Sequence, residues 1–509
     1  MILRLVLSVL MSSLALSGLS AAAAHAADRP NILFAIADDW GHPYASAYGD
    51  PVVKTPHFDR VAREGVLFRN AFIAAPSCSP SRAAILTGQW HWRLEDGANL
   101  HGFIPPKFDV FPDLLEKSGY VVGMSKKGYG PGSLGGRARN PAGPNFKSFD
   151  DFLAQRDKSK PFCFWYGSQE PHRPYKPGSG KAAGLDTAKV KLPPFWPDND
   201  VVRCDLADYL AEVQQADGYL GELIAALEKT GELEHTIIVV TGDHNTPFPR
   251  GKANLYDQGT HVPLAIRWPG KIKAGRVVDD FVSLADLAPT FLEAAGLKPT
   301  SAMTARSLMN VLLSEKSGLV DASRDHVIFG MERHVPCRKI DNGKLAGYPC
   351  RAIRTGDHLL IRNFAPDRWP AGDPNGLEKA GAQPFTEREL SSETRVALAD
   401  CDSGATKAWI VLHRDEPAVR PLYDLCFGKR PAVELYDLKK DPHQVRNVAD
   451  DPAYAAARRE LEAKLMAQLK ATNDPRVAEN SRAPLDELPA NAAGKAKEKE
   501  KPKNKATKP

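Results

Sequence analysis

The chain has 509 residues, 43% hydrophobic and 25% charged. Those are the proportions of a globular protein long enough for two or three domains. Its formal charge of +5 sits in the C-terminal run GKAKEKEKPKNKATKP, where seven lysines face two glutamates. The remainder is close to neutral, which excludes the broad basic surface of a nucleic-acid-binding protein.

Residues 1–26 read as an export signal. Arg4 precedes an apolar run, and small residues end in Ala24-His25-Ala26, an A-x-A-type cleavage site. A membrane anchor is the competing reading. No later stretch is long and apolar enough to span a bilayer, so an exported, periplasmic or secreted protein without a transmembrane segment is expected. Export permits disulfides. Seven cysteines is an odd number, so at least one is unpaired. Cys337 with Cys350 and Cys401 with Cys426 are short-loop pairs, and Cys78 is the candidate left over.

In chain order, RPNILFAIADDW has a buried-strand pattern that ends in Asp38-Asp39. TPHFDRVAREGVLF opens a helix at Thr55-Pro56. APSCSPSRAAILTG sets Cys78 between serines at the start of an apolar helix, with Pro80 suited to its first turn. FPDLLEKSGYVVGMS reads as helix, glycine turn and strand. PFCFWYGSQEPH is a strand ending in polar residues, and LADYLAEVQQADGYLGELIAALEKTG an amphipathic helix with a glycine stop. TIIVVTGDHN is a β-branched run ending in Asp243-His244-Asn245. This alternation predicts an α/β domain over 28–330, a mostly parallel central sheet flanked by helices. Beyond about Asp321, short strands, Pro/Gly-rich loops and a late helix predict a smaller C-terminal α+β domain over 331–480. Residues 481–509 read as a disordered Lys-rich tail.

Three strands thus end in reactive groups: Asp38-Asp39, Gln169-Glu170-Pro171-His172 and Asp243-His244-Asn245. In open parallel sheets, ligands bind outside the carboxyl ends of the strands, so these groups are expected on one edge. A lone Asp-Asp pair often caps the turn that follows. Further acids at a second strand end point instead to a hard divalent cation. Arg82, in the first turn of the Cys78 helix, makes that helix start an anion site. Cation, anion site and cysteine together suit transfer of a sulfuryl or phosphoryl group.

CSPSRAAILTG resembles the C-x-P-S-R-x-x-x-L-T-G signature of the type I, formylglycine-dependent sulfatases. Asp38-Asp39 and Asp243-His244 fall at family-like spacing, and the likeness runs from about Arg29 to Val477. EPHRP, GDHNTPFPRGKANLYDQGTHVPL and ELYDLKKDPHQVRNV look like the heparan N-sulfatase (sulfamidase) branch. The resemblance implies an alkaline-phosphatase-like fold. It also implies that a maturation enzyme oxidises Cys78 to formylglycine. One hydroxyl of the hydrated aldehyde is then the nucleophile, and the other expels sulfate. Asp38, Asp39, Cys78 and Asp243 carry over as Ca²⁺ ligands, with His244 in a slot that holds Asn or His in the family. Arg82 carries over as the cation that holds the formylglycine, and Lys252 as a sulfate contact. His172 matches a contact able to protonate the leaving oxygen or nitrogen.

One departure concerns SKKGYGPG. The family has G-K-x-H here; Lys126 or Lys127 matches the lysine, but Gly128 stands where histidine is expected. Tyr129 or His101 are the substitutes on offer. Glu332, Arg333 and His334 either line the substrate pocket or form an interdomain salt-bridge patch. The implied substrate is a sulfated polysaccharide or glycosaminoglycan-type sugar. The rival readings are a formylglycine-dependent phosphate or phosphonate ester hydrolase, and a carbohydrate-binding homologue without turnover.

Overall fold

The computed structural model describes residues 29–340, 343–477 and 485–487; the export signal and the lysine-rich run lie outside them. The large sheet has seven strands. They are β1 (Asn31–Ala37), β2 (Val66–Phe72), β3 (Val121–Lys126), β4 (Phe162–Ser168), β5 (Thr236–Gly242), β6 (Leu264–Arg267) and β7 (Arg276–Ser283). Their order is β3-β4-β1-β5-β6-β2-β7. Only β6 pairs antiparallel with its neighbours.

The three central strands β4, β1 and β5 are buried at every residue. Near-continuous apolar runs such as NILFAIA are what a parallel sheet covered on both faces requires. Side chains alternate between the two faces. Leu33, Ala35 and Ala37 join the cluster holding Leu206, Tyr209, Leu210 and Val213 of the long helix Asp200–Thr230. Ile32, Phe34 and Ile36 join the opposite cluster, with Ile85 and Leu86 of the helix Cys78–Thr87. The long helix starts where Asn199 accepts the Val202 N–H and stops at left-handed Gly231, φ 72°.

Register positions the site. Ala37 of β1 lies opposite Ser168 of β4 and Gly242 of β5. The three strands end level, so the residues that follow them emerge side by side.

The smaller unit is a four-stranded antiparallel sheet. Its strands are β8 (His326–Met331), β11 (Cys350–Thr355), β12 (His358–Asn363) and β13 (Val433–Asp437), in order β13-β12-β11-β8. A two-residue pair, β9 (Arg338–Lys339) and β10 (Leu345–Ala346), lies beside it. The helix Ala455–Ala471 packs Leu461, Leu465 and Leu469 against Ile328, Ile353, Leu360 and Leu435.

Two expectations need correction. All seven cysteines are free, so neither Cys337–Cys350 nor Cys401–Cys426 is bridged. Cys337 Sγ faces the Asp400 carboxylate at 3.6 Å, while Cys350 Sγ faces the Tyr348 carbonyl at 3.6 Å. Cys401 Sγ faces the Asp402 carbonyl at 3.6 Å and Cys426 Sγ the Phe195 carbonyl at 3.5 Å. Within the stretch expected to be tail, Leu485–Glu487 docks on the body. The buried Asp486 carboxylate accepts from Arg368 at 2.5 Å and from Arg476, and the Leu485 carbonyl accepts from Asn99 at 2.9 Å. Among the described residues, no helix is long and apolar enough to cross a membrane.

Candidate active site

The level strand ends deliver Asp38 and Asp39 from β1 and Asp243 and His244 from β5, all buried. Asp39 is held at φ 70°, a left-handed conformation that Asp tolerates better than most residues. Its amide N–H donates to Asp243 Oδ1 at 3.1 Å, tying the two strand ends together. Lys252 lies on the loop after β5, between two further left-handed residues, Arg250 at φ 68° and Ala253 at φ 66°. Strained backbone of this kind clusters at functional sites.

Opposite these acids, the helix Cys78–Thr87 begins. Extended Ser77 (φ −159°, ψ 141°) stands at its N-cap without capping it through the side chain. Ser81 Oγ donates instead to the Asp243 carbonyl at 2.5 Å, and Ser79 Oγ donates to the Pro131 carbonyl. The serines of the motif thus fasten the helix start to the strand ends. Cys78 Sγ lies 3.2 Å from His244 Nε2 and 3.5 Å from Asp38 Oδ1. Burial, then Asp38, pushes its thiol upward, so at neutral pH this cysteine is a protonated thiol and not a thiolate.

Three cations, Arg82 and Lys252 buried and Lys127 partly so, face the three carboxylates. Arg82 Nε donates to Asp243 Oδ2 at 2.8 Å, and its Nη1 donates to the carbonyls of Lys127 and Gly128 at 2.9 and 3.0 Å. Lys127 pairs with Asp38. Lys252 Nζ lies 3.1 Å from Asp39 Oδ1 and 3.1 Å from Asp402 Oδ2. Burial acts to raise the Asp38 carboxyl. Lys127 first, then His172, Arg82 and Lys252, reverse this and hold it well below the usual range. At Asp39 burial wins over Lys252, His172 and His244, and its carboxyl is raised.

The donor set fits a hard cation. Ligand atoms of Asp38, Cys78, Asp243 and His244 lie within 4.8 Å of one another, as do those of Asp39, Cys78 and His172. Nδ1 of His244 lies 2.9 Å from the Asn245 carbonyl, which assigns the proton to Nδ1 and the lone pair to Nε2. That lone pair faces Asp39 Oδ1 at 3.1 Å and Asp243 Oδ1 at 3.6 Å. Asp39 Oδ1 is fully buried and, apart from the Lys252 ammonium at 3.1 Å, has no partner in hydrogen-bond geometry. Lone pairs converging out of reach of water call for positive charge between them.

The sulfatase family model matches residues 30–141 and 144–297, more than half of the chain. The chain belongs to the sulfatase family. These enzymes hydrolyse sulfuric esters or sulfamides. A second model, that of the N-sulphoglucosamine sulphohydrolase C-terminal region, matches residues 250–369. Among curated relatives, an ulvan-active sulfatase of Formosa agariphila is 27% identical over 88% of this chain and 76% of its own length. The N-sulphoglucosamine sulphohydrolase of Homo sapiens is 28% identical over 87% of this chain and 91% of its own. Two solved structures share the fold. One, in complex with its substrate D-glucosamine-2-N,6-O-disulfate, has a TM-score of 0.62 at 21% identity, covering 89% of this chain and 99% of its own. The other, the phosphonate monoester hydrolase of Agrobacterium radiobacter, has a TM-score of 0.60 at 19% identity, covering 91% and 99%. The alkaline-phosphatase-like sheet and the smaller antiparallel unit are therefore those of this sulfatase's fold family.

The structure gathers Asp38, Asp39, Cys78, Arg82, Asp243, His244, Lys252 and His172 into one cluster. It also separates the two candidate lysines. Lys126, the last residue of β3, sits at φ 62° with its ammonium exposed, 5.9 Å from the Tyr219 ring. That turn sends Lys127 into the site, so Lys126 is not a site residue. A side chain at position 128 would displace its neighbours, because a Cβ there would lie 2.5 Å from Met124 Sδ and 2.6 Å from Asn140 Oδ1. The two proposed substitutes lie in different surroundings. Tyr129 belongs to the apolar cluster of Leu94, Ile104 and Met124, and His101 is exposed.

The run Glu332-Arg333-His334 divides. Glu332 is a buried structural anion, 2.5 Å from both Arg351 and Arg476. Arg333 turns to the docked segment, 3.5 Å from the Asp486 carbonyl. His334 alone joins the site, its Nδ1 2.8 Å from Ser77 Oγ. Burial, reinforced by Lys252 and His244, pushes it down to about 3, so it is neutral at physiological pH. Sequence reasoning missed Asp402. Its run, ADCDSGATKAW, reads as an ordinary lead-in to the helix Ala405–Leu412. Asp400 joins the two loops: its carboxylate accepts from the Val335 N–H at 2.9 Å and from Arg338 at 2.6 Å.

Proposed function

We propose that this chain is an exported sulfatase that removes sulfate from sulfated polysaccharide or glycosaminoglycan-type sugars. It does so through a formylglycine made from Cys78 and a bound calcium ion. The observation that carries the reading is the position of Cys78. It opens a buried helix where three carboxylates meet Arg82, Lys127 and Lys252.

As its hydrate, formylglycine supplies a geminal diol, one hydroxyl to take the sulfuryl group and one to expel sulfate. Asp38, Asp39, Asp243 and His244 would hold Ca²⁺, a Lewis acid toward sulfate oxygens. Cys78 Sγ marks where the hydroxyls stand. Arg82, fixed by a carboxylate and two carbonyls, is a rigid cation aimed at that position. Lys127 and Lys252 carry ammonium groups, paired with Asp38 and with Asp39 and Asp402, that can also serve sulfate oxygens. His172 has Nδ1 2.6 Å from the Arg173 carbonyl. With Nδ1–H donating there, it is the Nε2–H of the doubly protonated ring that can pass to the leaving atom. Neutral His334 holds Ser77, the residue before the nucleophile. The names of the relatives, which act on ulvan and N-sulphoglucosamine, support a sulfated saccharide as substrate.

Mass spectrometry of the peptide spanning Ser77 to Arg82, from protein recovered after export, tests the reading. An aldehyde is expected in place of the Cys78 thiol, together with aryl sulfate hydrolysis that chelation of Ca²⁺ abolishes. An alkylatable thiol at Cys78 in fully active protein overturns it. The likeness in fold to a phosphonate monoester hydrolase motivates one comparison: aryl sulfate is expected to be cleaved faster than aryl phosphate or phosphonate.

A further inference from the structure

Asp402 is a carboxylate at the open side of a site built to receive an anion. Its Oδ2 takes Lys252 at 3.1 Å, and its Oδ1 accepts no hydrogen bond among the described residues. Its side chain is 16% exposed, against 4% for Asp38 and 0% for Asp39 and Asp243. The loop beneath it is rigid. Buried Lys407 donates to the carbonyls of Ala397, Leu398 and Cys401 at 2.9, 3.1 and 2.8 Å. Asp402 is therefore held in place beside Lys252, close enough to His172 for the two charges to act on each other.

For a sulfate ester this placement is unfavourable. The bridging oxygen gathers negative charge as the S–O bond breaks, and a neighbouring carboxylate opposes that. Nitrogen behaves in the opposite way. The nitrogen of an N-sulfo group takes up a proton, the S–N bond breaks, and the sulfuryl group passes by way of the nucleophile hydroxyl to leave, in net terms, as sulfate formed with water. The balance is R–NH–SO₃⁻ + H₂O → R–NH₃⁺ + SO₄²⁻. The leaving atom becomes positive, and a carboxylate beside it stabilises both the protonated transition state and the ammonium product.

We propose that Asp402 is a specificity residue that reads the leaving atom, favouring sulfate carried on an amine over sulfate carried on a hydroxyl. This rests on the sulfatase reading above. Asp402 touches neither Cys78 nor the three acids around it; it selects through the charge it presents beside Lys252.

The test compares kcat/KM of the exported, formylglycine-bearing enzyme on N-sulfoglucosamine and on glucosamine 6-O-sulfate, with an aryl sulfate alongside. Wild type is expected to prefer the N-sulfo sugar. Asp402→Asn is expected to lower the N-to-O ratio by about tenfold or more, the equivalent of one charge-assisted contact. Asp402→Glu, which keeps the charge, is expected to retain most of the ratio, and thermal melting checks that both variants fold. Free glucosamine is expected to inhibit wild type competitively and Asp402→Asn more weakly. A parallel fall on both sugars overturns the proposal, since Asp402 would then only position Lys252. Wild type that cleaves the 6-O-sulfate but not the N-sulfo sugar also overturns it, and leaves the sulfatase reading standing. Formylglycine-bearing wild type that cleaves none of the three substrates overturns the sulfatase reading, and this one with it.

Discussion

Arg82→Ala tests the electrostatic argument at its centre. The Arg82 and Asp243 side chains are both 0% exposed, and they meet at 2.8 Å. Removing the guanidinium leaves Asp243 ionised with no partner of opposite charge at that distance, and breaking a buried pair this way costs about 3–5 kcal/mol. The carbonyls of Lys127 and Gly128 lose a donor each. The Lys127 carbonyl keeps the Trp165 indole N–H at 3.0 Å, so the added cost falls on Gly128, at about 1–3 kcal/mol where water does not replace the donor. A loss of about 4 kcal/mol is a large part of the 5–15 kcal/mol typical of a folded domain. Arg82→Lys keeps the charge but not the fork, and is expected to recover about half of that. Urea unfolding followed by tryptophan fluorescence measures the loss, and aryl sulfate turnover reports the site. Added Ca²⁺ is expected to stabilise the alanine variant more than wild type, because a cation there relieves the uncompensated Asp243. If Arg82→Ala unfolded within about 1 kcal/mol of wild type and kept its turnover, the reading of Arg82 as the fixed cation of the site would be wrong.

Three further perturbations follow from the same geometry. Gly41→Ala places a Cβ 1.6 Å from Asn245 Oδ1. Asn245 is pinned by the carbonyls of His42, Asp257 and His261, so it cannot yield. A destabilisation of about 3 kcal/mol or more is expected by thermal melting, with loss of activity, because His244 is the preceding residue. Asp400→Asn weakens the tie between the His334 and Asp402 loops. It is expected to lower kcat/KM by about tenfold or more through misplacement alone, and unchanged kinetics would show that the loops hold their positions without it. His334 has a folded pKa of about 3 against about 6.5 in the unfolded chain. Between those values the unfolded state binds the extra proton, so this residue's contribution to stability is full above about pH 6.5 and is lost as pH falls toward 3. His334→Gln is expected to flatten that acid limb in unfolding measured across pH, and an unchanged limb would mean that His334 is not held neutral.

The large domain was legible because its chemistry is written at strand ends. An apolar run such as ILFAIA has to be buried, and a polar pair directly after it has to emerge at the sheet edge. Asp38, Asp39, Asp243 and His244 therefore declared themselves, and the Cys78 motif supplied their counterpart. What local pattern did not carry was direction. Lys126 and Lys127 are adjacent and chemically identical, and the choice depends on one left-handed residue at the end of β3. Glu332 and His334 lie two residues apart, yet the first is consumed by Arg351 and Arg476 while the second reaches Ser77. Cysteine spacing suggested bridges that packing does not make. The partners that fix Lys127, Glu332 and His334, namely Asp38, Arg476 and Ser77, lie tens or hundreds of positions away.

Asp402 shows why the recognition half of the site is harder to read than the chemical half. Forming and expelling a sulfate adduct constrains charge within a few ångströms of one atom, so the residues that do it are dictated by type and recur as a motif. Choosing among sugars requires only that some side chain reach the leaving group from outside, and any loop at the right height will serve; that of Asp402 packs Leu398, Cys401 and Ala408 into the cluster of the long helix Asp200–Thr230. Here that height is set by Asp400, which binds Arg338 and the Val335 N–H and so brings the His334 and Asp402 loops against the edge of the large sheet. A sequence change near Asp400 alters what reaches Lys252 while leaving Asp38, Asp39, Cys78 and Asp243 untouched. Substrate choice can therefore drift through the loops around Asp402 without disturbing the reaction, and relatives that share this fold are expected to differ in specificity at the position of Asp402 before they differ at Cys78.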